Sequence, residues 1–131
     1  MNYQVCVIGA GTGGYVAAIR AAQLGAKVLL IEKKELGGVC LNRGCIPTKT
    51  LLKSAEKWQD ITHSEEFGMF VSEYAYDWDK IMERKNNVIY QLRSGIEKLI
   101  KSNKIELVEG SAHLIDAHSV HIVTDNPGEE L

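Results

Sequence analysis

The 131-residue chain contains only three cysteines and two prolines, and it lacks any hydrophobic run long enough to cross a bilayer. Cys6, Cys40 and Cys45 are too few and too unevenly placed for the disulfide framework of a small secreted domain. Any disulfide among them would serve chemistry rather than architecture. A spanning helix needs about 20 consecutive apolar residues, and no stretch approaches that. The first residues also lack the basic n-region and small-residue cleavage site of a signal peptide, so the expected compartment is the cytoplasm. Basic charge is not in excess either. Fifteen Lys and Arg against 17 Asp and Glu leave a formal charge of −2, which argues against nucleic acid or an anionic membrane as the main partner. What remains, 45% hydrophobic and 24% charged residues, is the composition of one globular domain. At this length a chain buries roughly two-thirds of the surface its unfolded form exposes, so neither metal nor crosslink is needed for folding.

Gln4 to Ile8 is a short β-branched run without polar alternation after Gln4, as expected for a parallel strand covered on both faces. Gly9-Ala-Gly-Thr-Gly-Gly14 interrupts it. Tyr15 to Leu24 carries Val16, Ile19 and Ala22 at helical spacing, and Gly25 stands where a helix-ending glycine belongs. Lys27 to Ile31 reads as a second buried strand closed by Glu32. Strand, glycine turn, helix and strand make one βαβ unit, with a right-handed crossover expected.

Within that unit Gly9, Gly11 and Gly14 satisfy G-x-G-x-x-G. The first permits the tight turn, the second lets backbone amides approach a pyrophosphate, and the third lets helix pack closely on strand. The helix N-terminus adds unpaired N–H groups and a partial positive charge. Glu32, 18 residues past Gly14, is placed to accept hydrogen bonds from an adenosine ribose, which favours a free 2′-hydroxyl over an NADP phosphate. The competing reading is a glycine turn without a ligand.

Further along, Leu36 to Pro47 reads as neither helix nor strand, and a helix is expected from Thr48, fading between Asp60 and His63. Asp77 is a candidate N-cap for a long helix whose apolar face carries Ile81, Val88, Ile89, Leu92, Ile96, Leu99 and Ile100, ending near Ser102 to Asn103. Ile105 to Val108 is expected as a third strand, and Ala112 to Ile115 with Val120 to Val123 as a hairpin. The tail from Thr124 to Leu131 adds no core element. The expected class is therefore α/β, a Rossmann-like unit with parallel strands, a long helix and a small antiparallel ribbon. Three parallel strands fall short of the six in a complete sheet.

Cys40 and Cys45 enclose Leu-Asn-Arg-Gly. On a regular helix such a pair would lie about 8.6 Å apart at Cα, beyond the ~7 Å limit for a disulfide. Pairing would require a break, which Gly44 can supply. The alternatives are a zinc site, for which the spacing is wrong and no second ligand pair follows, or two unpaired thiols. Lys49 would lie one helical turn from Cys45 if a helix starts near Pro47. There it would lower a thiolate pKa, sit against an electron-rich cofactor ring, or remain an ordinary solvated lysine. Cys6 is expected to be an inert strand thiol, and His63, His113, His118 and His121 to be partly exposed loop or hairpin residues. No metal site is expected.

The Gly9 to Gly25 segment, Glu32, and Gly37 to Lys49 (GGVCLNRGCIPTK) together resemble the N-terminus of the dihydrolipoamide dehydrogenases, within the FAD-containing pyridine nucleotide-disulfide oxidoreductases. The resemblance runs through essentially the whole chain. It implies FAD as the dinucleotide, with Gly9, Gly11 and Gly14 at the pyrophosphate and Glu32 on the ribose. Gly37, Gly38 and Lys49 would lie along the flavin, and Gly110 near the adenine. It further implies a redox disulfide between Cys40, the thiol exchanging with dihydrolipoamide, and Cys45, the flavin-proximal thiol. Electrons would pass from dihydrolipoamide through this pair and FAD to NAD as co-substrate. The implied partners are a lipoyl group on a 2-oxoacid dehydrogenase or glycine cleavage complex, and a second subunit in a homodimer. Residues 1–131 would be the N-terminal part of the FAD domain. The NAD-binding domain and the C-terminal interface domain are absent, so turnover by these residues alone is not expected. Thr12 replaces a frequent proline, and Arg43 a frequent valine, adding charge that favours a thiolate. Competing readings are a glutathione or mercuric-ion reductase, a non-catalytic nucleotide-binding module, and a simple NAD-binding domain, which leaves the cysteines unexplained.

Overall fold

The computed structural model describes residues 2–124, so the tail expected beyond Thr124 lies outside the described residues. In chain order the elements are β1 (Val5–Ile8), α1 (Gly14–Gln23), β2 (Val28–Glu32), α2 (Gly38–Arg43), α3 (Cys45–Thr62), a 3₁₀ turn (Ser64–Phe67), α4 (Trp78–Ser102), β3 (Glu106–Glu109), β4 (Ser111–Leu114) and β5 (Val120–Val123). The strands β1, β2 and β3 form one parallel sheet in that order, and β4 pairs antiparallel with β5.

The helix ends follow local chemistry. Gly25 takes φ +94° and donates its N–H to the Ala22 carbonyl at 2.9 Å, stopping α1 where the glycine pattern indicated. The Asp77 side chain accepts from the Lys80 N–H at 3.1 Å and so caps α4, as its position predicted.

Parallel register puts Val5, Val28 and Leu30 on one sheet face and Cys6, Leu29 and Ile31 on the other. The helices cover the first. Leu30, fully buried, packs there with Ala18, Ile96 and Ile100. The ribbon covers part of the second, where Ile122 closes over Leu29 and Ile31. Cross-strand His113 and His121 stack at 4.9 Å between ring centroids.

Three expectations are corrected here. Cys6 is exposed rather than a buried strand thiol, and no residue of β1 is fully buried, whereas β2, which the ribbon contacts, has four buried residues. On α4 the core stripe is Ile89, Ile96 and Ile100, whereas Leu92 and Leu99 stand exposed, because the sheet contacts a narrower arc than the apolar face offers. Leu36 to Pro47 is not irregular. It contains α2 and the first turn of α3, which starts at Cys45 rather than Thr48. Burial of Leu36 and Leu41 in the helical core organises this segment, and no periodicity within so short a stretch could reveal it. Among the described residues no helix is long and apolar enough to cross a membrane.

Candidate functional site

The glycine turn between β1 and α1 is braced from two directions. Glu32 at the end of β2 accepts from the Ala10 N–H at 2.6 Å, and the Gly37 N–H donates to the Ala10 carbonyl at 2.8 Å. Gly14 is pressed so closely on the strand end that a Cβ there would lie 1.8 Å from the Gly9 carbonyl oxygen. A Cβ on Gly11 would instead meet nothing within 4 Å, and no side chain caps α1. An open space at a helix N-terminus with uncapped amides fits an anionic pyrophosphate. Glu32 differs from expectation in being already engaged: besides Ala10, its second carboxylate oxygen accepts from Lys34 N–H at 2.8 Å. Each oxygen keeps a further lone pair for a ribose hydroxyl.

Gly37 and Gly38 both have left-handed φ, and a Cβ on Gly38 would sit 2.9 Å from the Gly11 Cα. The start of α2 therefore lies directly against the dinucleotide turn. Gly110 behaves differently. It is buried, its N–H bonds the Glu32 carbonyl at 2.9 Å, and a Cβ would lie 2.6 Å from the Val123 carbonyl oxygen. Ribbon packing alone requires glycine there, and its position beside Glu32 keeps it at the same end of the sheet.

Cys40 sits in α2 and Cys45 is the first residue of α3. Gly44, at φ −124° and ψ −106°, breaks the helix between them. The break brings the two free thiols, Cys40 half-buried and Cys45 exposed, close enough to act on one another. Gly44 also accepts from the Thr48 hydroxyl at 2.7 Å and the Thr48 N–H at 3.2 Å, which anchors the first turn of α3 behind Cys45. An anion on Cys45 would face the unpaired amides of that 18-residue helix. The Cys40 thiol is pushed above its ordinary value, first by its interaction with Cys45 and next by desolvation, while the Lys49 ammonium pulls it down. Lys49 is thus near enough to act on Cys40, one turn beyond Cys45 on α3. Replacing Lys49 with methionine should slow alkylation of Cys40 by iodoacetamide at pH 7 about two- to fivefold, the range of one exposed charge pair. Peptide mapping by mass spectrometry would read the rate, and an unchanged rate would remove Lys49 from the thiol's electrostatics.

Arg43 does not act on the thiols. Its guanidinium pairs with Glu35 at 2.5 Å, an exposed contact, which corrects the expectation that its charge favours a thiolate. Two residues absent from the sequence reading join the site instead. Asn42 lies between the cysteines, and Arg93 reaches it from α4. Asn42 stood inside the cysteine motif and was open to notice, whereas nothing local marks Arg93. Among the described residues no group of three or more His, Cys, Asp or Glu could hold a metal ion.

A parallel βαβ unit with an open glycine turn, abutted by a helix that carries one of two contacting thiols, defines a dinucleotide-binding domain with a thiol pair. The family model "Pyridine nucleotide-disulphide oxidoreductase" matches residues 3–130, and the chain belongs to that family. It is 47% identical over 126 residues to a dihydrolipoyl dehydrogenase of Geobacillus stearothermophilus, covering 96% of this chain and 27% of that protein. To a dihydrolipoyl dehydrogenase of Chlamydia trachomatis it is 48% identical, covering 95% and 27%. Among solved structures, the HOCl-induced flavoprotein disulfide reductase RclA from Escherichia coli, as a Cu(II) complex, superposes with a TM-score of 0.79 at 32% identity, covering all of this chain and 26% of that one. The chain thus spans about a quarter of the length of these relatives.

Proposed function

We propose that this chain is the disulfide-bearing N-terminal part of the FAD domain of a dihydrolipoyl dehydrogenase. The single observation that carries the reading is the contact of Gly38 with Gly11, which sets the helix of Cys40 against the dinucleotide turn. In this reading Gly9, Gly11 and Gly14 hold the pyrophosphate, Glu32 the ribose and Gly110 the adenine end, with Gly37, Gly38 and Lys49 along the ring. When bound, FAD supplies a two-electron acceptor between substrates that never meet. NAD is proposed as the final acceptor. The segments that bind NAD and complete the subunit interface are assigned to other parts of the polypeptide, and the homodimer with them.

The chain's own share is thiol exchange. In the oxidised centre a thiolate of dihydrolipoamide attacks the Cys40 sulfur, forming a mixed disulfide and releasing Cys45 as thiolate. The second lipoyl thiol then attacks its neighbour, closing the lipoamide ring and releasing Cys40. Two electrons end on the Cys40 and Cys45 sulfurs, with lipoamide as the oxidised product. Partial exposure of Cys40 suits it to meet a substrate carried on another protein, a lipoyl arm of a 2-oxoacid dehydrogenase or glycine cleavage complex. The reducing thiol chemistry suits the cytoplasm.

The absorption spectrum of the purified complete polypeptide, before and after dithiothreitol, tests this. A flavin spectrum that gains long-wavelength absorbance on reduction is expected, and colourless protein would overturn the reading. Faster turnover with glutathione disulfide than with lipoamide would overturn the substrate assignment. The 131 residues alone are expected to give no NADH-linked lipoamide reduction.

A further inference from the structure

Arg93 projects from the middle of α4 toward the cysteine helix. Its Nε and Nη2 donate to the Asn42 Oδ1 at 3.1 and 2.6 Å, across 51 residues of sequence. The Asn42 amide nitrogen in turn donates to the carbonyls of Leu36 at 2.9 Å and Gly38 at 2.8 Å. Both hydrogens and both lone pairs of this amide are therefore used. A reversed amide would set its NH₂ against the guanidinium donors, so the arginine decides which way Asn42 faces, and thereby that its donors reach Leu36 and Gly38. Those two residues flank Gly37 at the start of α2, the helix that carries Cys40. Nine residues earlier on α4, Arg84 donates to the Thr50 carbonyl of α3 at 3.1 Å, tying down the helix that carries Cys45. One long helix thus grips both arms of the thiol pair through two arginines.

We propose that Arg93, acting through Asn42, is a positioning residue that holds α2 so that Cys40 stays in register with Cys45, and so sets the equilibrium of their exchange. The inference rests on the reading of the pair as an exchange centre. Its physical basis is effective concentration: a sulfur held beside its partner favours the disulfide over two separate thiols, and loosening α2 removes part of that advantage.

The test is a redox titration of the complete holoprotein with dithiothreitol. Its dithiol reduces the Cys40–Cys45 disulfide, two electrons and two protons passing to the protein thiols as the cyclic reagent disulfide forms. The readout is the fraction of Cys40 and Cys45 trapped as alkylated thiols. Arg93→Ala should shift the equilibrium at least threefold toward the dithiol, Arg93→Lys should restore part of the shift, and Arg93→Ala combined with Asn42→Ala should shift it no further than Asn42→Ala alone. A wild-type equilibrium in folded Arg93→Ala would overturn the proposal, and additive shifts would overturn the route through Asn42. If Arg93→Ala does not fold, Arg93→Lys and Asn42→Ser carry the test, and unchanged equilibria in both would overturn it. A wild-type protein that forms no Cys40–Cys45 disulfide under oxidised dithiothreitol would instead overturn the exchange-centre reading, a result distinct from any behaviour of the Arg93 variants.

Discussion

Alanine at Gly14 is expected to destabilise the native fold strongly, whereas alanine at Gly11 should leave the fold intact and remove the dinucleotide. At Gly14 the new methyl would lie 1.8 Å from the Gly9 carbonyl oxygen and 2.9 Å from its carbon. Both atoms are backbone, so no rotamer change can relieve the contact and α1 must lift from the end of β1. Overpacking of cores that can adjust costs about 1–3 kcal/mol. A backbone clash should reach the top of that range or exceed it, in a domain whose whole stability is on the order of 5–15 kcal/mol. At Gly11 the methyl would meet no atom of the chain within 4 Å, and φ is not left-handed. Stability should therefore change by less than about 1 kcal/mol. The methyl would nevertheless stand in the open space in front of α1, where the pyrophosphate is proposed to sit. Urea unfolding followed by circular dichroism, paired with flavin content per chain, checks both. A normal midpoint for Gly14→Ala would contradict the helix-on-strand packing, and full flavin content in Gly11→Ala would move the pyrophosphate elsewhere.

In the complete polypeptide, serine in place of Cys40 or of Cys45 should reduce the proposed lipoamide turnover by at least about 10³-fold, since an alkoxide leaving group cannot replace a thiolate in disulfide exchange. The stability cost should be small, within about 0.5 kcal/mol, because Cys45 is exposed and Cys40 only half-buried. Flavin content should be retained in both. Because the Cys45 contact and desolvation hold the Cys40 thiol above its ordinary value, less Cys40 is thiolate at neutral pH than in a free cysteine. Alkylation of Cys40 should therefore keep rising with pH past the point where a free cysteine levels off, and Cys45→Ala should bring that rise to lower pH. Steady-state turnover of the two serine variants, and rates of alkylation between neutral and alkaline pH, are the measurements. Retained turnover in either variant would take that cysteine out of the exchange chemistry, whereas no turnover in the unsubstituted complete polypeptide with flavin still bound would favour a nucleotide-binding module.

What could be read directly from the chain shares one property: the interaction is local, or a residue type has few uses. Gly9, Gly11 and Gly14 announced the turn because Gly9 has left-handed φ, Gly14 has no room for a Cβ and Gly11 leaves open space for a ligand, and Gly25 and Asp77 marked helix ends because each acts within four residues. The strands β1 and β2 were visible as unbroken apolar runs, although only β2 is buried, and the cysteine spacing made a helix break at Gly44 a condition of pairing. Other features required the tertiary structure because their partners are distant. α2 forms because Leu36 and Leu41 enter a core built by α4 and the sheet, which the short stretch itself cannot express. Cys6 on β1 is exposed although its run is apolar, and Leu92 and Leu99 are exposed because the sheet meets only part of the α4 stripe. Arg93 meets Asn42 only once α4 crosses the cysteine helix, since hydrogen bonds between residues 51 apart depend on the packing angle of two elements rather than on spacing along either. The sequence by itself determined the dinucleotide turn and the thiol pair, through residues whose conformational or chemical limits leave few alternatives. Tertiary packing decided what surrounds them, because burial and long-range contact exist only after the elements have assembled.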